Sequence, residues 1–318
     1  MPENLEQHAI DDGVATLRRG ELLAIPTETV YGLAADAGND AAVGKIFRLK
    51  GRPADHPLIV HIADASKLTD WAIDVPDIAY RLAAQFWPGP LTMVLKKHPR
   101  VSEVVTGGQD TIGLRCPNNP LTLDLLRAFG GGVAAPSANR FGRISPTSAE
   151  HVRAEFGQNT PAILDGGPCA VGIESTIVDL SGDQPRILRE GHIRRAQLLP
   201  YLPALQSGES SASPRVSGSL EAHYAPRTPM QMRPRQAFAE TAEPDCAVLA
   251  LDTVPDGWRG ICLPSNADDY ARGLYAGLRH LDTLKARMIV IEQTPESADW
   301  LAVNDRINRA LAGAGDTP

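Results

Sequence analysis

Apolar positions along the chain recur first at helical and then at strand spacing. Leu5, Ile10, Val14 and Leu17 share one face and stop at Gly20, which predicts a helix over residues 4–18. ELLAIP then reads as a strand, and TETVYGLAAD as a turn leading to the next helix. Asn39 or Asp40 can cap AAVGKIFRL, where Ala42, Ile46 and Leu49 form one face. Strands are predicted at PLIVHI, LTMVLKK, TIGLRC, GVAAPS, AILD, STIVDL and PRILRE, and helices at PDIAYRLAAQF, LTLDLLRAF, SAEHVRAEF and RRAQLLPYL. Strict βαβ alternation is absent, so a mixed sheet with flanking helices is expected.

The pattern breaks at ALQSGESSASPRVSGSLEA, where serine, glycine and proline replace apolar periodicity, as in a linker. Strands CAVLALD, GICLP and MIVIEQ and helices DDYARGLYAGLRHLDTL and SADWLAVNDRINRAL follow. The expected organisation is a mixed α/β domain over 1–203, a linker over 204–228 and a smaller C-terminal α/β domain over 229–318. A length of 318 residues accommodates two cores.

Charge narrows the function. The formal net charge of −7 argues against a general nucleic-acid or anionic-membrane binder. The polar N-terminus has no signal-peptide pattern, and the apolar runs are too short to span a bilayer, so a cytoplasmic location is expected. The four cysteines, Cys116, Cys169, Cys246 and Cys262, form no CxxC pair and read as reduced thiols. GNDAAVGKI fails the Walker A spacing and lacks its hydroxyl, while GGGVAA follows a helix where a dinucleotide fingerprint follows a strand. HExxH and GxSxG are absent.

Against that acidic background, Lys45, Arg48, Lys50 and Arg52 cluster just ahead of PLIVHI. Lys45 and Arg48 fit a helix C-terminus, where cations complement the dipole. Lys50 and Arg52 read as lying beyond the helix in KGRPADHP, where two cations can converge on phosphate. In TIGLRCP, alternation puts Thr111 and Arg115 on one face with Gly113 between them. An inward arginine there answers either a salt-bridge partner or an anionic ligand. PTETVYGL, APSANRFGRISPTS and the pair GIESTIVDL/PRILREG supply hydroxyls, an amide and Arg189 beside strand ends, and each taken alone also fits turn or surface chemistry. His61, in LIVHI, taken alone fits a satisfied core histidine.

In this order, PTETVYGL, KIFRLKGRPADHPLIVHI, FWPGPLT, TIGLRCP, APSAN, ESTIVD and ILREG resemble the YrdC-type family, specifically its long two-domain threonylcarbamoyl-AMP synthases. The match covers about residues 10–195, and HYAP at 223–226 is similar to the motif ending the long-form linker. SPRVSGSLEAHYAP lacks the proline-glycine-methionine step common before that motif.

The resemblance implies a nucleotidyltransferase with a YrdC-like twisted sheet. It would join L-threonine, bicarbonate and ATP into L-threonylcarbamoyladenylate with release of pyrophosphate. A separate threonylcarbamoyl transferase would pass the group to position 37 of tRNA, so stable tRNA binding is not expected. It implies a threonine pocket of Thr29, His61, Arg115 and Ser175. Nucleotide contacts would come from Lys50, Arg52, His56, Thr111, Ala135, Ser137, Asn139, Ser145, Arg189 and Tyr224. Mg2+ would be held mainly through ATP phosphates, with no protein metal ligands and no protein nucleophile. The main alternative is an RNA-binding protein of the same fold without catalysis. The second is a carbamoyl-phosphate-using carbamoyltransferase, which would bring zinc-finger and acylphosphatase-like modules.

Overall fold

The structure is a computed structural model and describes residues 2–208, 213–218, 222–238 and 242–315. Two compact units emerge. The first comprises Met1–Arg140, Pro146–Cys169 and Glu174–Ser219. The second comprises Phe141–Ser145, Ala170–Ile173 and Leu220–Pro318.

In the first unit, helix α1 (Pro2–Arg18) leads into strands β1 (Leu23–Ile25) and β2 (Gly32–Asp36) and helix α2 (Asp40–Lys50). There follow β3 (Ile59–His61), α3 (Leu68–Trp71), α4 (Asp77–Phe86), β4 (Leu91–Lys96), α5 (Glu103–Thr106), β5 (Thr111–Arg115) and α6 (Pro120–Phe129). The unit continues with β6 (Val133–Ala134), α7 (Ala149–Phe156), β7 (Ala162–Ile163), β8 (Thr176–Asp179), β9 (Arg186–Arg189), α8 (Arg195–Leu198) and β10 (Gln206–Ser207).

The strands form one mixed sheet in the order β10-β9-β8-β4-β5-β3-β6-β2-β1-β7, as the missing βαβ alternation predicts. β3 runs parallel to β5 and β4 parallel to β8, whereas β4 and β5 are antiparallel. One core, containing Val60, Ile62, Met93, Leu95, Ile112 and Leu114, packs one face of these central strands, and α1 and α6 contribute to a second core around Leu17, Leu23, Ile25 and Leu125.

Three expectations change. TETVYGLAAD contains a strand, β2, whose Leu33, Ala34 and Ala35 are all fully buried. With both faces covered, alternation has nothing to report. Lys50 is the last residue of α2, not part of the following loop. Asn39 caps the start, its side chain accepting from Ala42 N. The stop is Gly51 at φ 64°, where the Arg52 N–H folds back to Phe47 O. RRAQLLPYL forms only the single turn Arg195–Leu198.

The expected linker is also not free chain. β10 adds to the sheet beside β9, and Val216 packs with Val94, Ile177 and Leu188. Residues 209–212 and 219–221 of the expected linker lie outside the described residues.

The second unit holds β11 (Met230–Arg233), β12 (Cys246–Leu251), β13 (Arg259–Leu263), α9 (Ala267–Thr283), β14 (Met288–Glu292) and α10 (Leu301–Gly313). Its parallel sheet has the order β11-β14-β12-β13. β11 was not legible as a strand because its residues, MQMR, are all at least partly exposed at a sheet edge. Among the described residues, no helix is long and apolar enough to cross a membrane.

Candidate functional site

Four adjacent strands, β8, β4, β5 and β3, bring the candidate residues to one region of the first sheet. His61 pairs in register with Arg115, Met93 with Leu114, and Leu91 with Thr176. Ser175, Thr92, Arg115 and His61 therefore stand near neighbouring strand ends. β5 alternates as expected: Ile112 and Leu114 face the core, while Thr111 and Gly113 line a narrow slot with Thr92, Val94, Ile177, Val216 and Ser217. A Cβ at Gly113 would stand 3.4 Å from Ile59 and 3.5 Å from Thr92, filling part of that slot.

Arg115 is 4% exposed. Its Nη2 donates to Thr29 Oγ1 at 2.9 Å and lies 2.8 Å from Glu28 Oε1. The salt-bridge and ligand readings of this arginine thus meet in one place, because it has an internal carboxylate and yet its buried Nε–H has no acceptor. Thr29 is fixed in turn by Thr27, whose hydroxyl lies 2.9 Å away. His61 is buried, and burial together with the Arg115 charge depresses its pKa to about 3. It stands as neutral imidazole with Nδ1 unpartnered.

A second group is cationic. Lys50 donates to the Ser137 and Asn139 carbonyls, tying α2 to the APSAN loop. Burial first, and the neighbouring Arg52 charge second, push the Lys50 ammonium well below its usual range, against the opposing pull of Glu155 and Glu174. Arg52 Nη2 donates to Pro57 O at 2.9 Å and Ser217 Oγ at 3.2 Å. Arg189 donates to Ser175 O at 3.0 Å, Ser175 Oγ at 3.1 Å and Ser217 O at 2.7 Å. His56 is half-buried, and its pKa is lowered by burial and then by Arg52. Holding like charges together under burial is costly, and an anion offsets that cost.

Ser175, just ahead of β8, belongs with the cationic group: its hydroxyl pairs with Thr92 at 2.7 Å and accepts from Arg189. Ala135 contributes no donor: its N–H goes to Ile59 O at 3.0 Å and its methyl packs in the second core. Asn139 is 1% exposed, with its amide nitrogen donating to Arg140 O at 2.7 Å.

Two expected nucleotide residues belong to the second unit. Ser145 is fully buried there. Tyr224, at φ 62° and 1% exposed, stacks on Tyr275 at 5.5 Å, meets His223 edge-on at 4.1 Å and lies under Arg306 at 5.5 Å. Its ring is buried among these side chains.

Sequence reasoning missed Glu28, Thr92 and Ser217. Glu28 was visible as an acid inside PTETV, ahead of a buried strand. Ser217 carried no signal, since its partners lie at least 28 residues away in sequence. Buried thiols are not nucleophiles here: burial pushes Cys116 and Cys169 up to about 12. Among the described residues, Glu243, Asp245 and Cys246 of the second unit group closely enough for a metal. Arg233 and Arg287 already neutralise those carboxylates.

The Sua5_yciO_yrdC family model, described as telomere recombination, matches residues 15–191, more than half of the chain. A second, described as the threonylcarbamoyl-AMP synthase C-terminal domain, matches residues 191–312. The threonylcarbamoyl-AMP synthase of Bacillus subtilis is 38% identical, over 96% of this chain and 93% of that protein. The chain belongs to the threonylcarbamoyl-AMP synthase family. The synthase of Pyrococcus abyssi is 37% identical over 97% of this chain and 95% of its own length. The crystal structure of P. abyssi Sua5 complexed with L-threonine superposes with a TM-score of 0.87, at 36% identity, over 95% of this chain and 94% of that one. Both family regions are present here. The expected two-part α/β fold is borne out.

Proposed function

We propose that the first unit joins L-threonine, bicarbonate and ATP into threonylcarbamoyl-AMP and pyrophosphate. Family membership and the names of the full-length relatives support the reaction. The observation that carries the assignment of residues is the presence in one unit of a strand-end arginine with an unused buried N–H and of a set of crowded buried cations. In this reading Arg115 takes the threonine carboxylate; the related P. abyssi Sua5 was crystallised with L-threonine. Thr29 and neutral His61 line the same pocket, with Ser175 at its border.

The threonine ammonium first gives up a proton; the free amine then attacks carbon dioxide, losing a second proton, or bicarbonate, with water leaving, to form an N-carboxylate. An oxygen of that carboxylate then attacks the α-phosphorus of ATP, and pyrophosphate leaves. Neither step needs a protein nucleophile, in keeping with thiols held protonated. The work is positioning and charge neutralisation. Lys50, Arg52 and Arg189 are assigned to the triphosphate, with His56, Ser137, Asn139 and Thr111 around it. Lys50 gains most, since an anion compensates the burial that opposes its charge. To reach Arg52 and Arg189, the phosphates displace Ser217 from both. Ala135 is left with only its carbonyl to offer, and Ser145 and Tyr224 are not part of this assignment.

Mg2+ fits as a companion of the substrate: a hard divalent cation takes phosphate oxygens readily, and the residues assigned to the phosphates are cations and neutral donors. When bound it neutralises phosphate charge. The product is destined for a threonylcarbamoyl transferase acting on tRNA, in the cytoplasm. Non-catalytic RNA binding and carbamoyl-phosphate chemistry are less favoured, because full-length relatives carry the synthase name. The test is mass spectrometry of the product formed from 13C-bicarbonate. An adenylate carrying both threonine and the label supports the reading; unlabelled product or none overturns it.

A further inference from the structure

Glu28 is a buried carboxylate beside the arginine assigned to the threonine carboxylate, 6% exposed. Its Oε2 accepts from the Asn118 N–H at 3.0 Å. Its Oε1 lies 2.8 Å from Arg115 Nη2 but, among the described residues, accepts no hydrogen bond from that nitrogen or any other group. The ion pair is therefore incomplete on both sides, for Arg115 Nε–H is equally unused. A conventional arginine–carboxylate fork would satisfy these two atoms with each other. Here they are left over on adjacent groups of opposite charge.

An unsatisfied buried polar atom is costly, and charged ones more so. What answers both at once is a molecule with an anion and a cation one carbon apart, which is the layout of an α-amino acid. The pair Glu28–Arg115 is neutral, and so is a zwitterion, so binding buries no net charge. Thr29 cannot answer Glu28, because its hydroxyl is engaged with Thr27 and Arg115. His61 stands as neutral imidazole and can add a hydrogen bond but not charge.

We propose that Glu28 Oε1 receives the ammonium group of L-threonine while Arg115 receives its carboxylate, so that Glu28 selects the amino acid over the corresponding hydroxy acid. This rests on the first unit being the threonine-using synthase. Glu28 also positions Arg115, and the two roles separate experimentally. The probes are L-threonine and (3R)-3-hydroxybutanoate, which keeps the carboxylate and hydroxyl and lacks the amine.

Ligand-observed NMR titration of the full chain and of Glu28→Gln decides between them. L-threonine affinity should fall at least about tenfold, as expected for loss of a charged hydrogen bond. Affinity for 3-hydroxybutanoate should hold or rise, because the anion competing for Arg115 is gone. A parallel fall for both probes, or unchanged threonine affinity, overturns the proposal. Should Glu28→Gln not fold, Glu28→Asp keeps the charge, withdraws the oxygen by one methylene and is read by the same two outcomes. If the unaltered chain fails to bind L-threonine at all, the assigned reaction falls first, and this proposal with it.

Discussion

Replacing Arg115 by methionine separates what this residue does for folding from what it does for threonine. Arg115 and Glu28 are 4% and 6% exposed and 2.8 Å apart. Removing the guanidinium strands a buried carboxylate whose one hydrogen bond among the described residues is from Asn118 N–H. Breaking a buried pair from one side costs about 3–5 kcal/mol, mostly for the charge left behind. Removing both charges costs far less, so Arg115→Met with Glu28→Gln should recover at least about half of that loss. Urea unfolding followed by fluorescence of Trp71 and Trp87 in the first unit measures both variants. Threonine affinity should stay at least about tenfold down in each, since neither retains the carboxylate partner. ATP affinity should change by less than about threefold, because Lys50, Arg52 and Arg189 are untouched. A single variant no less stable than the double, or normal threonine binding by either, would refute the reasoning.

His61 gives a pH prediction. Its pKa is depressed by burial and Arg115 from 6.5 to about 3, so the unfolded chain binds a proton that the folded chain refuses. Stability from this group is full above pH 6.5 and is lost as pH falls toward 3, by about 2 kcal/mol between pH 7 and 5. His61→Phe should flatten that slope in urea unfolding, and an equally steep slope would contradict it. Ser217→Ala removes one of the contacts ATP phosphates must displace from Arg52, so ATP should bind tighter by about 0.5–1.5 kcal/mol in calorimetry; weaker binding would show that the segment holds ATP instead of competing with it. Chelation by EDTA should abolish turnover while leaving threonine affinity and the melting temperature unchanged, whereas a drop in melting temperature would reveal a structural metal.

The sequence was most legible where one side chain face is buried and the other is not. Alternation in TIGLRC placed Thr111 and Gly113 on the slot side of β5, and Ile112 and Leu114 in the core. It failed at β2, buried on both faces, and at β11, half-exposed at an edge. Lys50 and Arg52 stood out as cations clustered in a turn-prone segment of an acidic chain. Ion pairing is where local pattern ran out. Lys45 turned out to hold Glu21 at 2.7 Å, and Glu28 holds Arg115 from 87 residues away in the chain, and neither separation leaves a periodic trace. Tyr224 was legible only through its motif: its ring contacts with Tyr275 and Arg306 span 51 and 82 residues of sequence and leave no local pattern.

Pyrophosphate release from ATP, measured with threonine and bicarbonate omitted in turn, tests the central claim most directly. The account predicts release only when both are present, with Arg115→Met silent. Release that persists without threonine would contradict it.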